Sequence, residues 1–379
     1  MCIFASVSSM SKRDCIEKYA NGRPTFEWPS GMTEHTVDEN FIAAVAQGVI
    51  KAYPGLYSFD GELKQLKKGE KGIYLTSFAG LDKRVLIKDA VYIHEGAEGD
   101  YAAITSPRVW FKNAVFDEVV RQVPSCAGIV AHPIMTPSGE AVSKRGYNPE
   151  TGIYVDTSPE MEELCVHTAF SQESIALLRE ILEYMYSHKT FYSPADKSRY
   201  IAVLLTAVMS PCYDIAPPLY ANNATTGSVE ARTLFYELDK TLHGRVMSQA
   251  YLGLSKYIVQ RKNMLCMRDG KNLPIFLAHS DENQTPNWRP CYIASGVSVQ
   301  VLFDDSRDKT IKEIAKEFES FRVDMFQSLF DLIQAWHQAG KPAPTTPSAF
   351  DPAFDEWYYH VAGVLEHAGY TSISEDLTV

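Results

Sequence analysis

The segment "ATTGSVEARTL", residues 224–234, joins small polar residues and Gly227 to a helix-like continuation. That is the layout of a phosphate-binding loop, G-x-x-x-x-G-K-[ST]. In such a loop the glycines turn backbone N–H groups toward phosphates, the lysine neutralises the outer phosphates and the hydroxyl holds magnesium. If Thr226, Gly227 and Ser228 fill the T-G-S of such a loop, then Val229, Glu230 and Ala231 stand where glycine, lysine and threonine belong. Glu230 would set a carboxylate against phosphate, a repulsion of several kcal/mol where water is scarce. The residues alone fit two readings: a phosphate loop without its chemistry, and a plain loop that opens a helix.

A working site of this kind also needs acids at the end of an apolar strand, to hold magnesium and orient water. Asp304-Asp305 follow "VSVQVLF", and Asp281-Glu282 follow "PIFLAH". Either pair reads first as the solvated end of a strand. Asn283 lies beside the second pair, and Arg289 in "TPNWRP" is either an arginine finger or a surface or core-capping arginine. His132, His279, His360 and His367 do not cluster with acids or thiols, so they read as structural and no metal is expected. No G-x-S-x-G elbow is present.

The elements around these residues follow from periodicity. Apolar residues at helical spacing predict helices over 33–52, 107–122, 175–185, 310–339 and 354–368. The run "SPADKSRYIAVLLTAVMSP" is apolar nearly all round from Ile201 to Met209, which predicts a buried helix stopped before Pro211. Short strands are expected in "LYSFDGELKQL", "GIYLTSF", "RVLIKDAVYIHE" and "YAAITSP". Ser138-Gly139 and Asn148 to Gly152 mark two tight hairpins. Further strands are expected in "PPLYANN", "LPIFLAH" and "VSVQVLF", with a helix over "VEARTLFYELDKTL". The fold class is therefore mixed α/β. The expected domains are an N-terminal α+β module (1–160), a central α/β region (161–310) and a C-terminal helical segment (311–379).

Charge limits the partners. The formal net charge is -11, opposite in sign to a protein that lives mainly on nucleic-acid phosphates. Any nucleic-acid contact must be local. The candidates are Lys64, Lys67, Lys68 and Lys71, then Lys83, Arg84 and Lys88; these also read as solvated hairpin faces. Seven scattered cysteines without a C-x-x-C pair argue against a zinc site or a disulfide framework and fit a reducing compartment. The start "MCIFASVSSMSKRDC" is a poor signal peptide, and "YIAVLLTAVM" is too short for a membrane span, so the expected location is cytoplasmic with no membrane partner.

Several segments together resemble the phage- and plasmid-encoded primase–helicase family, in which an N-terminal module precedes a P-loop ATPase. "CAGIVAHPIMTPSGEAVSKRGYNPETGIYVD" resembles that family's proline-containing strand, turn and "GYDPxTGLY" run. "FYSPADKSRYIAVLLTAVMSP" resembles the helix before its ATPase strand. "FQSLFDLIQAWHQAGKPAP" and "FDEWYYHVAGVLEHAGY" resemble its C-terminal helices. The order is the family's order, over residues 35–375. The resemblance implies that residues 226–230 are a vestigial phosphate loop, with Asn283 matching a sensor asparagine and Arg289 the arginine that follows it. No catalytic residue carries over. It implies a replication-associated protein of mobile-element origin, with little or no ATP hydrolysis and no cofactor, acting on DNA or a replication protein. Two alternatives stay open. One is a divergent active NTPase or helicase that binds magnesium-ATP with help from Lys240 or Arg232. The other is a non-catalytic structural or assembly module.

Overall fold

A computed structural model describes the protein at residues 11–19, 25–30, 32–59, 61–69, 72–77, 91–95, 101–104, 109–164, 167, 169–185, 190–191, 193–213, 215, 219–223, 250–251, 275–279, 296–299, 301–302, 311–350 and 352–375. The fold is mixed α/β, with several small sheets and helices in the C-terminal region. Among the described residues no helix is long and apolar enough to cross a membrane. The chain divides into two compact units, Met1–Cys126 and Ala127–Val379.

In the first unit, helix α1 (Lys12–Tyr19) and strand β1 (Thr25–Glu27) precede helix α2 (Glu39–Ala52). The apolar spacing suggested that α2 begins near residue 33. It begins later because the Asp38 carboxylate accepts the Phe41 N–H at 3.0 Å and caps the first turn. Val37, outside the helix, is exposed. Ile42, Val45, Ala46 and Val49 face helix α3 (Val109–Gln122), which buries Phe111, Val115 and Val119. Strands β2 (Leu56–Phe59), β3 (Glu62–Gly69) and β4 (Gly72–Ser77) form an antiparallel meander whose first turn needs Gly61 at φ +74°. β1 pairs in parallel with β5 (Val91–Glu95), and β5 pairs with β6 (Tyr101–Ile104). Trp28 packs on Phe111 at 4.8 Å between ring centroids, inside an aromatic core with Phe41 and Tyr92.

The second unit opens with β7 (Gly128–Val130), the hairpin β8 (Ile134–Met135) and β9 (Ala141–Val142), and the hairpin β10 (Gly146–Asn148) and β11 (Ile153–Val155). The Asn148 side-chain oxygen accepts the N–H groups of Glu150 and Thr151 at 3.0 Å each, which closes the second turn. After the short helix α4 (Pro159–Glu162) come α5 (Gln172–Met185), strand β12 (Thr190–Phe191) and α6 (Pro194–Tyr213). The α6 helix is buried from Ala195 to Ser210 apart from Lys197. It runs through Pro211 instead of stopping before it. A proline in the last turn removes one backbone bond there and none upstream.

Helix α7 (Ile311–Gln338) buries Met325, Phe326, Leu329, Phe330, Leu332, Ile333 and Trp336, while Phe321 is partly buried and meets Tyr184 of α5 edge-on. Gly340, at φ +82°, ends the helix, and the Lys341 N–H bonds back to the Trp336 carbonyl at 2.9 Å. Helix α8 (Asp355–His367) approaches closely at Gly363, where a Cβ would lie 2.9 Å from Trp336 Nε1. Two indole N–H groups find acceptors inside this core. Trp336 donates to the Pro342 carbonyl at 2.9 Å, and Trp357 donates to Thr206 Oγ1 at 2.8 Å.

A buried ion pair ties the C-terminal segment to α6. Arg199 bonds Asp196 through Nη1 at 2.9 Å, the Ile373 carbonyl through Nε at 2.9 Å and the Glu375 carbonyl through Nη2. Both side chains are almost fully buried. Removing one partner strands the other charge, so Asp196→Ala should cost about 3–5 kcal/mol in urea unfolding. The charge-free pair Asp196→Ala with Arg199→Met should recover part of that loss. A single variant as stable as the wild type would show that the pair does not hold the segment.

Candidate functional site

Four parallel strands form one sheet in the order β14 (Ala250–Tyr251), β15 (Ile275–His279), β13 (Leu219–Asn223), β16 (Gly296–Val299). Each connection exceeds the dozen or so residues that a parallel crossover needs. Small and apolar residues such as Leu219, Ala221, Leu277 and Val297 suit strands with neighbours on both sides. Helix α6 packs against β16. β13 is internal: Tyr220 lies between Phe276 and Val297 in the register, and Asn223 lies beside His279. Because the strands are parallel, their carboxyl ends share one edge, where open α/β sheets form ligand sites. The chain therefore leaves β13 and β15 at neighbouring points on that edge. The segments singled out in the sequence, 224–230 and 280–283, follow directly from those two points. Thr226, Gly227, Ser228, Glu230, Asn283 and Arg289 themselves lie outside the described residues, as do Asp281-Glu282, Asp304-Asp305 and the helix expected over 229–242.

Of the candidate nucleic-acid lysines, Lys64, Lys67 and Lys68 lie on β3 in the first unit; Lys71, Lys83, Arg84 and Lys88 are outside the described residues. Lys64 is only 8% exposed, and its ammonium lies 2.5 Å from the Glu62 carboxylate. It is poorly placed to meet a phosphate. Lys67 and Lys68 are exposed, successive on the strand and so on opposite faces of the ribbon. Neither is in an ion pair among the described residues.

The fold also assembles polar groups that no spacing announced. The Asp331 carboxylate, buried on α7, accepts the His167 backbone N–H at 3.1 Å, His167 Nδ1–H at 2.7 Å and the Gln327 amide at 3.0 Å. The His167 side chain is 60% exposed. Asp331 and His167 are 164 residues apart, so only the i, i+4 pair Gln327 and Asp331 left a trace in the sequence. A cavity of about 340 Å³ lies beside α5 and the end of α8, lined by Gln172, Ile175, Arg179, Glu183 and His367. Its guanidinium is already engaged: Arg179 bonds Glu183 and the Gly369 carbonyl and lies over the Tyr370 ring.

Burial lowers the proton affinity of four described histidines, three of them (His132, His360 and His367) singled out in the sequence; the side chain of the fourth singled out, His279, is outside the described residues. His132 is fully buried, donates from Nδ1 to the Pro133 carbonyl at 2.9 Å and stacks on Phe326 at 5.7 Å. Burial pushes it down to about 4; the carbonyl bond opposes this and the nearby Arg322 guanidinium adds to it. His337 shares a 2.9 Å hydrogen bond with the Tyr213 hydroxyl, and burial, Lys341 and His360 bring it also to about 4. Burial lowers His360 and His367 as well. Among the described residues, no group of three histidine, cysteine or acidic side chains is arranged to hold a metal ion.

These depressed values set a pH window. An unfolded histidine titrates near 6.5, so between about 6.5 and 4 the unfolded chain binds the extra protons. The histidine contribution to stability is complete above 6.5 and is lost as pH falls through 4. Urea midpoints should fall steadily across that interval, and His132→Asn should flatten the slope. Midpoints that stay level from pH 6.5 to 4 would show that neither histidine is held neutral.

No protein-family model matches the chain, and no curated protein matches it. Among solved structures, the chain is similar to the A-form apo structure of the C-terminal region of NrS-1. The TM-score is 0.35 and the identity 12%, over 76% of this chain and 68% of that one. A likeness at this level does not bear on the chemistry.

Proposed function

We propose that this chain is a replication-associated protein of the primase–helicase type, of phage or other mobile-element origin. Its ATPase-like region no longer hydrolyses ATP and serves nucleic-acid or replication-partner binding in the cytoplasm. One observation carries the reading. The strand ahead of residues 224–230 is an internal parallel strand, and it delivers that segment to the carboxyl edge where phosphate loops work. The sequence at that point does not fit magnesium-ATP, because Glu230 and Ala231 supply neither the cation nor the hydroxyl. The reading therefore keeps the architecture and leaves out the reaction.

Calorimetry tests this directly. The wild type should give no binding heat at millimolar magnesium-ATP. Restoring Val229→Gly, Glu230→Lys and Ala231→Thr together should create binding, and adding Gly227→Trp should abolish it. Micromolar binding by the wild type would overturn the lost-site reading in favour of a divergent working NTPase.

The nucleic-acid half has its own measurement. Removing one phosphate-binding cation lowers the salt slope of log K by about one. Lys67→Glu with Lys68→Glu should weaken binding to every sequence and flatten that slope by about two. Wild-type protein that leaves oligonucleotides unshifted at low salt would leave a protein partner as the role.

A further inference from the structure

The β3–β4 hairpin carries more than charge. In its register Lys67 lies directly opposite Tyr74, so both side chains leave the same face of the ribbon. Tyr74 is 48% exposed, among the few large hydrophobic side chains of the described residues left in water. It has no ring partner among them. Two register positions nearer the tip, the same face carries Gly69 opposite Gly72. Glycines put no side chain over the ribbon, so at this register position no described side chain covers the tip side of the tyrosine ring. On the other side lie Gln65 and Thr76, where the Thr76 hydroxyl donates to the Gln65 carbonyl at 3.2 Å.

We infer that Lys67 and Tyr74 form a contact for single-stranded nucleic acid, with Tyr74 stacking on an unpaired base and Lys67 meeting the adjoining phosphate. This rests on the nucleic-acid half of the proposed function and adds a strand preference to it. A ring standing free on an open face offers every base a surface to stack on, and single strands are held by such rings set among cations. A duplex hides its base faces and offers only phosphates to Lys67. The occupant follows from charge as well. In a chain of net charge -11, a lysine without an ion-pair partner among the described residues, beside an exposed ring, favours an anionic, aromatic ligand over an acidic peptide, which has no face for the ring. Stacking makes no use of the 2′-hydroxyl, so DNA and RNA single strands should share the site.

The test uses the full chain and fluorescence anisotropy with labelled oligo-dT, oligo-U and a mixed-sequence DNA duplex. Tyr74→Ala should weaken binding to both single strands about 5- to 150-fold, the range that removing one base stack gives. The salt slope should stay unchanged, because every phosphate-binding cation is still present. Duplex affinity should not move, and Tyr74→Trp should match or exceed the wild type on single strands. Lys67→Ala should lower the salt slope by about one on all three ligands. Tyr74 is exposed, so the fold should survive these changes, and circular dichroism confirms it. Wild-type binding that Tyr74→Ala leaves intact, or weakens equally for duplex and single strand, overturns the stacking contact while nucleic-acid binding stands. Wild type that binds none of the three ligands removes the underlying reading, and the contact with it.

Discussion

A helix that is apolar on every side must be covered on every side. The second unit is built around that requirement in α6. Its residues 200–209 meet α8 on one side, the β8 hairpin on another, and the strands β12 and β16 beyond. Several of the polar groups on it are bonded within the fold. Ser198 bonds the Pro194 carbonyl, Thr206 bonds the Ala202 carbonyl and receives the Trp357 indole, and Asp196 and Arg199 neutralise each other. Water has no place on this helix, so the parallel sheet and the C-terminal helices must share one core. Removing any of its neighbours would expose apolar area worth about 25 cal/mol per Å². The Arg199 clamp extends the same logic to the chain end, because the charged group that α6 buries is the one that holds residues 373–375.

The parts of this fold that were legible are those in which local pattern and tertiary packing agree. The long stripe of α7 left little freedom in its bounds, and the turns at Gly61 and Gly152 sit where only glycine takes a positive φ at low cost. Where a single side chain competes with the pattern, the pattern misleads. Val37 continues an apolar spacing, but Asp38 caps the helix after it. Pro211 reads as a stop, but packing around α6 carries the helix past it. The strands of 128–155 are too short to declare their partners. β7 pairs with β11 and β8 packs on α6, so these strands belong with residues that lie far along the chain.

The candidate sites show the same division. The hairpin expected over "LYSFDGELKQL" formed, and its second strand runs on past Leu66 to Gly69, which puts Lys67 and Lys68 on opposite faces. The fate of Lys64 was not legible, since it depends on burial and on Glu62 two residues away. The pairing of His167 with Asp331 depends on how residue 167 meets α7, and no one-dimensional pattern carries such a contact. The placement of β13 between β15 and β16 is a sheet-order fact. Periodicity can mark three strands and still leave open which of them is central.

Stability and phosphate chemistry draw on separate residues here, and that separation bears on how a site can be lost. The sheet rests on strand pairing and on α6, both made by residues whose side chains point into the core or whose backbones pair in register. A phosphate-gripping lysine contributes to neither; it faces ligand and solvent and carries a desolvation cost when the ligand is absent. A glutamate in place of such a lysine abolishes the attraction for phosphate and leaves strand pairing untouched. A site of that kind can therefore be lost while the sheet stays. The β3–β4 hairpin is open to change for the same reason. Lys67 and Tyr74 stand outside the hydrophobic core of the first unit, so changes in their side chains leave its packing in place.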